Sequence, residues 1–197
     1  YQSRVRRQAG KNTRDLIMKR IFIIHGWNSH PKASWMPWIK HELEEKGFFV
    51  IALSMPDPLN PQADAWVKKI YEEVGSPDED TYLIGHSLGC AAILRYLETI
   101  HTQVGGAVLV AGPSDNMKLS FIKSFFEKEF DFEKIKHNCR KFVVIHSDND
   151  RIVPINHAYA LKEKLNAKLI LEHKGHFTSM EGVKELPSLL EALLSID

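Results

Sequence analysis

The chain has 197 residues, 44% hydrophobic and 26% charged, enough for one domain with a real core and too few for two comfortable ones. Formal net charge is +1, but residues 1–20 carry seven Lys or Arg against one Asp, which leaves 19 basic and 24 acidic groups on the rest. A mildly acidic body argues against a nucleic-acid-binding surface, and no stretch reaches the ~18 apolar residues of a membrane span.

Residues 1–17, "YQSRVRRQAGKNTRDLI", have little apolar periodicity and stop just before "MKRIFIIHGW". Met18 followed by two basic residues and a strand reads as a natural start. Residues 1–17 are therefore expected to be a disordered leader, foreign to the natural protein or translated from an upstream start. A basic arm for nucleic acid or membrane is the sharper alternative, and the apolar run of a secretory signal is missing. Two cysteines, Cys90 and Cys139, make no disulfide framework, so a reduced, cytoplasmic compartment is the default expectation.

From there the chain alternates. "RIFIIHGW" (20–27) is a β-branched run ending at glycine, and "FFVIALSMP" (48–56) is a second, stopped by proline. "TYLIGHS" (81–87), "GAVLVAG" (106–112), "KFVVIHS" (141–147) and "AKLILEH" (167–173) complete six. Each is apolar on consecutive positions, as parallel strands covered on both faces require. Between and after them lie helical patterns at 35–47, 61–75, 87–100, 156–167 and 183–196. The reading is a single α/β domain over 18–197, a doubly wound, mostly parallel sheet of about six strands with helices on both faces. Such a sheet places its ligand site beyond the carboxyl ends of its strands. Residues 113–140 interrupt the rhythm with Phe121, Phe125, Phe126, Phe130 and Phe132. That segment is either a small lid over the strand ends or a longer packed helix and turn.

At the end of the third run, Gly85-His86-Ser87-Leu88-Gly89 fits G-x-S-x-G. A sharp strand-to-helix turn forces such a serine into a strained conformation with its hydroxyl above the sheet. Glycine flanks it because side chains two residues away would collide. The following helix aims its amino end at the site, so the Leu88 N–H is a candidate oxyanion donor. Serine needs a base, and the base an orienting carboxylate, in the order Ser, Asp/Glu, His for this architecture. Past the fifth strand stand Asp148 and Asp150; Asp150 is favoured because "RIVP" begins the next packed segment. Past the sixth stand His173 and His176; His176 is favoured because Gly175 permits a tight turn. The loop "HGWNSH" should supply a second oxyanion donor, the N–H of Trp27, with Gly26 allowing close approach. His25 and His86 are read as structural hydrogen-bonders rather than alternative bases. No His/Asp/Glu cluster has metal spacing and "GHSLGC" is no phosphate loop, so neither metal nor cofactor is expected. Cys90, Trp35 and Trp38 read as core. "MPDP" (55–58), at the functional rim, shapes a pocket wall or simply ends its strand.

Taken together, "WIKHELE" (38–44), "MPDP", "YLIGHSLGCAAILRYLET" (82–99), "FEKIKHNC" (132–139), "DNDRIVP" (148–154) and "GHF" (175–177) resemble a small α/β-hydrolase family. That family is typified by retinoblastoma-binding protein nine and includes bacterial YdeN-like hydrolases. The resemblance runs from about residue 19 to the end. It implies a compact serine hydrolase without a large cap domain, with the family's nucleophile at Ser87, its base at His176 and the acid of its D-x-x-x-P run at Asp150. One departure is the loop after the first strand, glycine-rich in such relatives and here "HGWNSHPKASW".

The function expected is hydrolysis of small carboxylic esters, or amides, through an acyl-enzyme on Ser87. A non-catalytic protein-binding module on a hydrolase scaffold is the reading from another class, motivated by the aromatic segment 121–132.

Overall fold

Runs of β-branched and aromatic residues are stable in a parallel sheet only when helices cover both faces. The computed structural model, which describes residues 18–196, satisfies that demand. The strands are β1 (Arg20–Ile24), β2 (Phe49–Leu53), β3 (Thr81–His86), β4 (Gly106–Val110), β5 (Phe142–Ser147) and β6 (Lys168–Glu172). Their order is β2-β1-β3-β4-β5-β6, and every pairing is parallel. The expectation for residues 1–17 lies outside the described residues.

Strand alternation splits the core into two layers. Ile21, Ile23, Ile84, Val108, Val143 and Ile145 face α1 (Met36–Glu45) and α6 (Pro187–Leu194). Phe22, Ile24, Leu83, Leu109 and Val144 face the other layer, built from α2 (Ala63–Val74), α3 (Leu88–Leu97), α4 (Phe132–His137) and α5 (Asn156–Leu165). Helix α3 is buried almost all round, which is why "LGCAAIL" carries no charged residue. The edge strands differ from the sequence expectation of two-sided cover. Phe49 on β2 and Leu171 on β6 are half-exposed, because an edge strand has neighbours on one side only. Among the described residues, no helix is long and apolar enough to cross a membrane.

Residues 113–140 hold a turn, a 3₁₀ segment and the short helix α4 rather than one long helix. Met117 and Lys118 both have positive φ, and the Asp115 and Asn116 side chains accept from the N–H groups of Met117 and Lys118. A helix cannot start through such turns, so order resumes only as a 3₁₀ turn at Ser120–Phe126. Ile122 and Phe125 then bury into the α2–α3 layer. Arg95 on α3 holds the segment in place: its Nε donates to the Phe125 carbonyl at 2.9 Å, and its guanidinium lies 4.0 Å over the Phe130 ring.

The chain runs from β1 outward to β2, then crosses back to β3 on the other side of β1. The strand order therefore reverses between β1 and β3, and a crevice opens at their carboxyl ends. Gly26 and Ser87 lie there.

Candidate active site

Ser87 stands between β3 and α3 with φ 53° and ψ −121°, a conformation that non-glycine residues avoid. Its N–H is tied to the Val110 carbonyl at 2.8 Å. Each neighbouring glycine has an identifiable obstacle. A Cβ on Gly85 would lie 2.8 Å from the Cys90 backbone nitrogen, and one on Gly89 would run into the carbonyls of Ile24 and His25 at the end of β1 and just past it. A Cβ on Gly26 would lie 2.9 Å from that of Ser87. The three glycines let β1, β3 and α3 converge on one hydroxyl.

His176 Nε2 lies 3.0 Å from Ser87 Oγ, and its Nδ1 lies 2.8 Å from Asp150 Oδ2. A carboxylate only accepts, so Nδ1 carries the proton and Nε2 is left to accept from the serine hydroxyl. Asp150 Oδ1 accepts from the N–H groups of Ile152 (2.8 Å) and Val153 (3.0 Å). Burial pushes the Asp150 carboxyl up, but the hydrogen bond and charge of His176 and the two backbone donors outweigh it and hold it below the ordinary range. Asp150 is thus an anion whose buried oxygens are all engaged.

The His176 loop hangs from its neighbours. Ser147 Oγ accepts from the Lys174 N–H and Asn149 Oδ1 from the Gly175 N–H, at 2.9 and 2.8 Å. Glu181 accepts from the N–H groups of His176 (2.8 Å) and Thr178 (3.1 Å). Gly175 has φ 55°, and a side chain there would collide with the Glu181 carboxylate. None of these supports has a sequence signature apart from Gly175.

The alternatives considered from sequence fall elsewhere. Asp148 and His173 pair with each other, Oδ1 to Nδ1 at 2.6 Å, with side chains 56% and 76% exposed. His25 is buried: its Nδ1–H donates to the Gly26 carbonyl (2.8 Å), and its Nε2 accepts from the Met55 N–H (3.1 Å). His86 donates from Nε2 to the His176 carbonyl at 2.9 Å. Burial, reinforced by neighbouring His176, lowers the His86 pKa to about 3, so this ring is neutral at ordinary pH.

"MPDP" does more than end β2. Besides the Met55 N–H on His25, the Pro58 carbonyl accepts from Asn28 and the Leu59 carbonyl from the Trp27 indole, at 2.9 and 3.0 Å. The β1 loop is held from that side. Trp27 is 42% exposed and its ring packs at 4.7 Å on Phe121. Among the described residues, the backbone N–H groups of Trp27 and Leu88 have no acceptor. For Leu88, the first residue of α3, this is the ordinary state of a helix start.

A cavity of about 360 Å³ opens over Ser87. Trp27, Met117, Leu119, Phe121, Ile122 and Ile152 give it an apolar wall, and among the described residues no Lys, Arg, Asp or Glu lines it. Cys90 and Cys139 are buried with thiols pushed up by burial, and Trp35 is in the core while Trp38 packs against it. Among the described residues no group of three or more His, Cys, Asp or Glu could hold a metal ion. Two buried histidines escaped sequence reasoning. His146 donates to the Val153 carbonyl at 2.9 Å, and His157 lies 3.2 Å from the Ser114 N–H through Nδ1.

Known proteins share this architecture. The chain is 36% identical to YdeN of Bacillus subtilis (strain 168) over 183 residues, covering 91% of this chain and 96% of that protein. The crystal structure of the B. subtilis ydeN gene product superposes with a TM-score of 0.88 at 35% identity, covering 91% of this chain and 98% of the other. The Rattus norvegicus serine hydrolase RBBP9 is 31% identical over 165 residues, 82% of this chain and 87% of that protein. Polyneuridine aldehyde esterase shares the fold at 17% identity, with a TM-score of 0.68 over 91% of this chain and 99% of its own. The serine hydrolase family model matches residues 21–195. The chain belongs to the serine hydrolase family and has an α/β-hydrolase fold.

Proposed function

We propose that the chain hydrolyses carboxylic esters, or amides, through an acyl-enzyme on Ser87. The observation that carries this reading is the unbroken hydrogen-bonded chain from Ser87 Oγ through His176 to the buried Asp150 carboxylate.

Ser87 Oγ attacks the carbonyl carbon while its proton passes to His176 Nε2. The imidazolium so formed is stabilised by Asp150, which stays ionised. The carbonyl electron pair moves onto oxygen, where the N–H groups of Leu88 and Trp27 receive it. Collapse expels the alcohol or amine, which takes the proton from Nε2. Water then repeats the sequence on the acyl-enzyme and releases the acid. The positive end of α3 favours the same oxyanion.

The apolar cavity wall supports a neutral acyl group. The aromatic segment favours the hydrolase over a partner-binding module. Phe125 is buried in the core layer, Phe126, Phe130 and Phe132 pack against it, and the more exposed Phe121 lines the cavity over Ser87.

The test is turnover of a series of p-nitrophenyl esters by the wild type and Ser87→Ala. Loss of kcat by about 10⁵-fold with an unchanged fold is expected. Near-normal turnover in the variant would remove Ser87 from the mechanism.

A further inference from the structure

His146 plays no part in the steps above, yet it is fully buried on β5, four residues before Asp150. Its Nδ1 has no hydrogen-bond partner, although it is buried. An apolar side chain of similar size would spare the fold that unpaired nitrogen. What the imidazole contributes is its other nitrogen. Nε2–H donates to the Val153 carbonyl at 2.9 Å and stands 3.8 Å from Asp150 Oδ2, too far for a hydrogen bond to the acid itself.

Val153 links the two groups. Its N–H donates to Asp150 Oδ1 at 3.0 Å, and its carbonyl receives the His146 proton. The turn 150–153 is therefore closed on one side by the carboxylate and anchored on the other to β5. Without the imidazole, the turn would keep its bonds to Asp150 Oδ1 and the long one from the Asp150 N–H to the Ser147 carbonyl (3.4 Å), while Oδ2 of the same carboxylate must stay aligned with His176 Nδ1.

We propose that His146 is a positioning residue: a buried imidazole donor that fixes the 150–153 turn and, through Val153, holds Asp150 Oδ2 against His176. The inference rests on Asp150 being the acid of the proposed hydrolase. Burial lowers the pKa of His146 and outweighs the opposing pulls of the Val153 carbonyl and the Asp150 charge. The ring therefore acts as a neutral donor and not as a counter-ion.

The test uses the full chain with His146→Leu and His146→Gln. Leu removes both nitrogens at similar volume; Gln keeps an amide donor near the place of Nε2. On a p-nitrophenyl ester that the wild type turns over, His146→Leu should lose about 10- to 100-fold in kcat, while KM stays within about twofold. The rate of fluorophosphonate labelling should fall in parallel, the melting temperature should hold, and His146→Gln should recover most of kcat. Wild-type kcat in His146→Leu overturns the inference. So does an equal loss in both variants that tracks a loss of stability. Should His146→Leu not fold, His146→Gln against His146→Asn carries the same comparison, because the shorter amide stands where Nδ1 was; equal activity of the two overturns the inference. A wild type inert to ester and probe would overturn the hydrolase reading and this inference with it, whereas an active wild type with an unaffected variant overturns the inference alone.

Discussion

Replacing Asp150 by Asn separates the proposed acid from its neighbour Asp148 and tests how the site sets its tautomer. The amide that Asp150→Asn introduces keeps an oxygen for the Ile152 and Val153 N–H groups, so the turn can persist. Its nitrogen, however, turns an N–H toward His176 Nδ1, where the carboxylate now accepts at 2.8 Å. Nδ1 must then become the acceptor, and Nε2 presents a proton to Ser87 instead of a lone pair. An imidazolium formed in the transition state would also lack its buried counter-charge. That loss costs about 3–5 kcal/mol, which at about 1.4 kcal/mol per decade is roughly 10²- to 10⁴-fold in rate. Asp148→Asn should stay within about twofold, because its side chain is exposed and pairs with the exposed His173. The assay is kcat/KM on one p-nitrophenyl ester, with thermal melts to show that both variants fold. A fall of less than tenfold in Asp150→Asn, or an equal fall in Asp148→Asn, would refute the reasoning.

Gly26→Ala brings a Cβ to 2.9 Å from Ser87 Cβ, so kcat should fall about 100-fold as the nucleophile or oxyanion loop shifts; unchanged kcat would mean the loop yields freely. Phe121→Ala removes the ring packed at 4.7 Å on Trp27, and KM for apolar acyl esters should rise roughly two- to tenfold, with a smaller change for acetyl esters. His86 is held near pKa 3 while the unfolded chain titrates near 6.5, so between those values the unfolded state binds the extra proton. Stability should therefore fall as pH drops from about 6.5, with a slope from this group of up to about 1.4 kcal/mol per pH unit. Urea melts at several pH values should show a shallower acid limb in His86→Gln, and parallel curves would contradict the assignment. Cys90 and Cys139 should resist a thiol reagent in the native protein and react only on unfolding.

The turn that carries Ser87 was legible in the sequence because its constraints are local. Gly85 and Gly89 flank Ser87 within five residues, and their obstacles are the backbones of α3 and β1 themselves. Asp150 and His176 followed from strand ends and chain order, although nothing in "SDND" alone separates Asp148 from Asp150. The structure separates them by burial: one faces the His176 ring and the other faces solvent. His146, His157, Asn149 and Glu181 were not legible. Each acts through a backbone group of a loop, and a single polar residue meeting a carbonyl or N–H leaves no periodicity to read. The aromatic segment left a lid and a packed helix both open because its composition fits either; positive φ at Met117 and Lys118 precedes the 3₁₀ turn, and Met117, Leu119 and Phe121 line the cavity.

The central claim is that Ser87 is an activated nucleophile. The most direct measurement is reaction of the full chain with a fluorophosphonate, followed by intact mass and mapping of the modified peptide. The account predicts one adduct, on Ser87, absent in Ser87→Ala and strongly slowed in His176→Ala. A folded wild type that takes no label, or takes it on another residue, would contradict it.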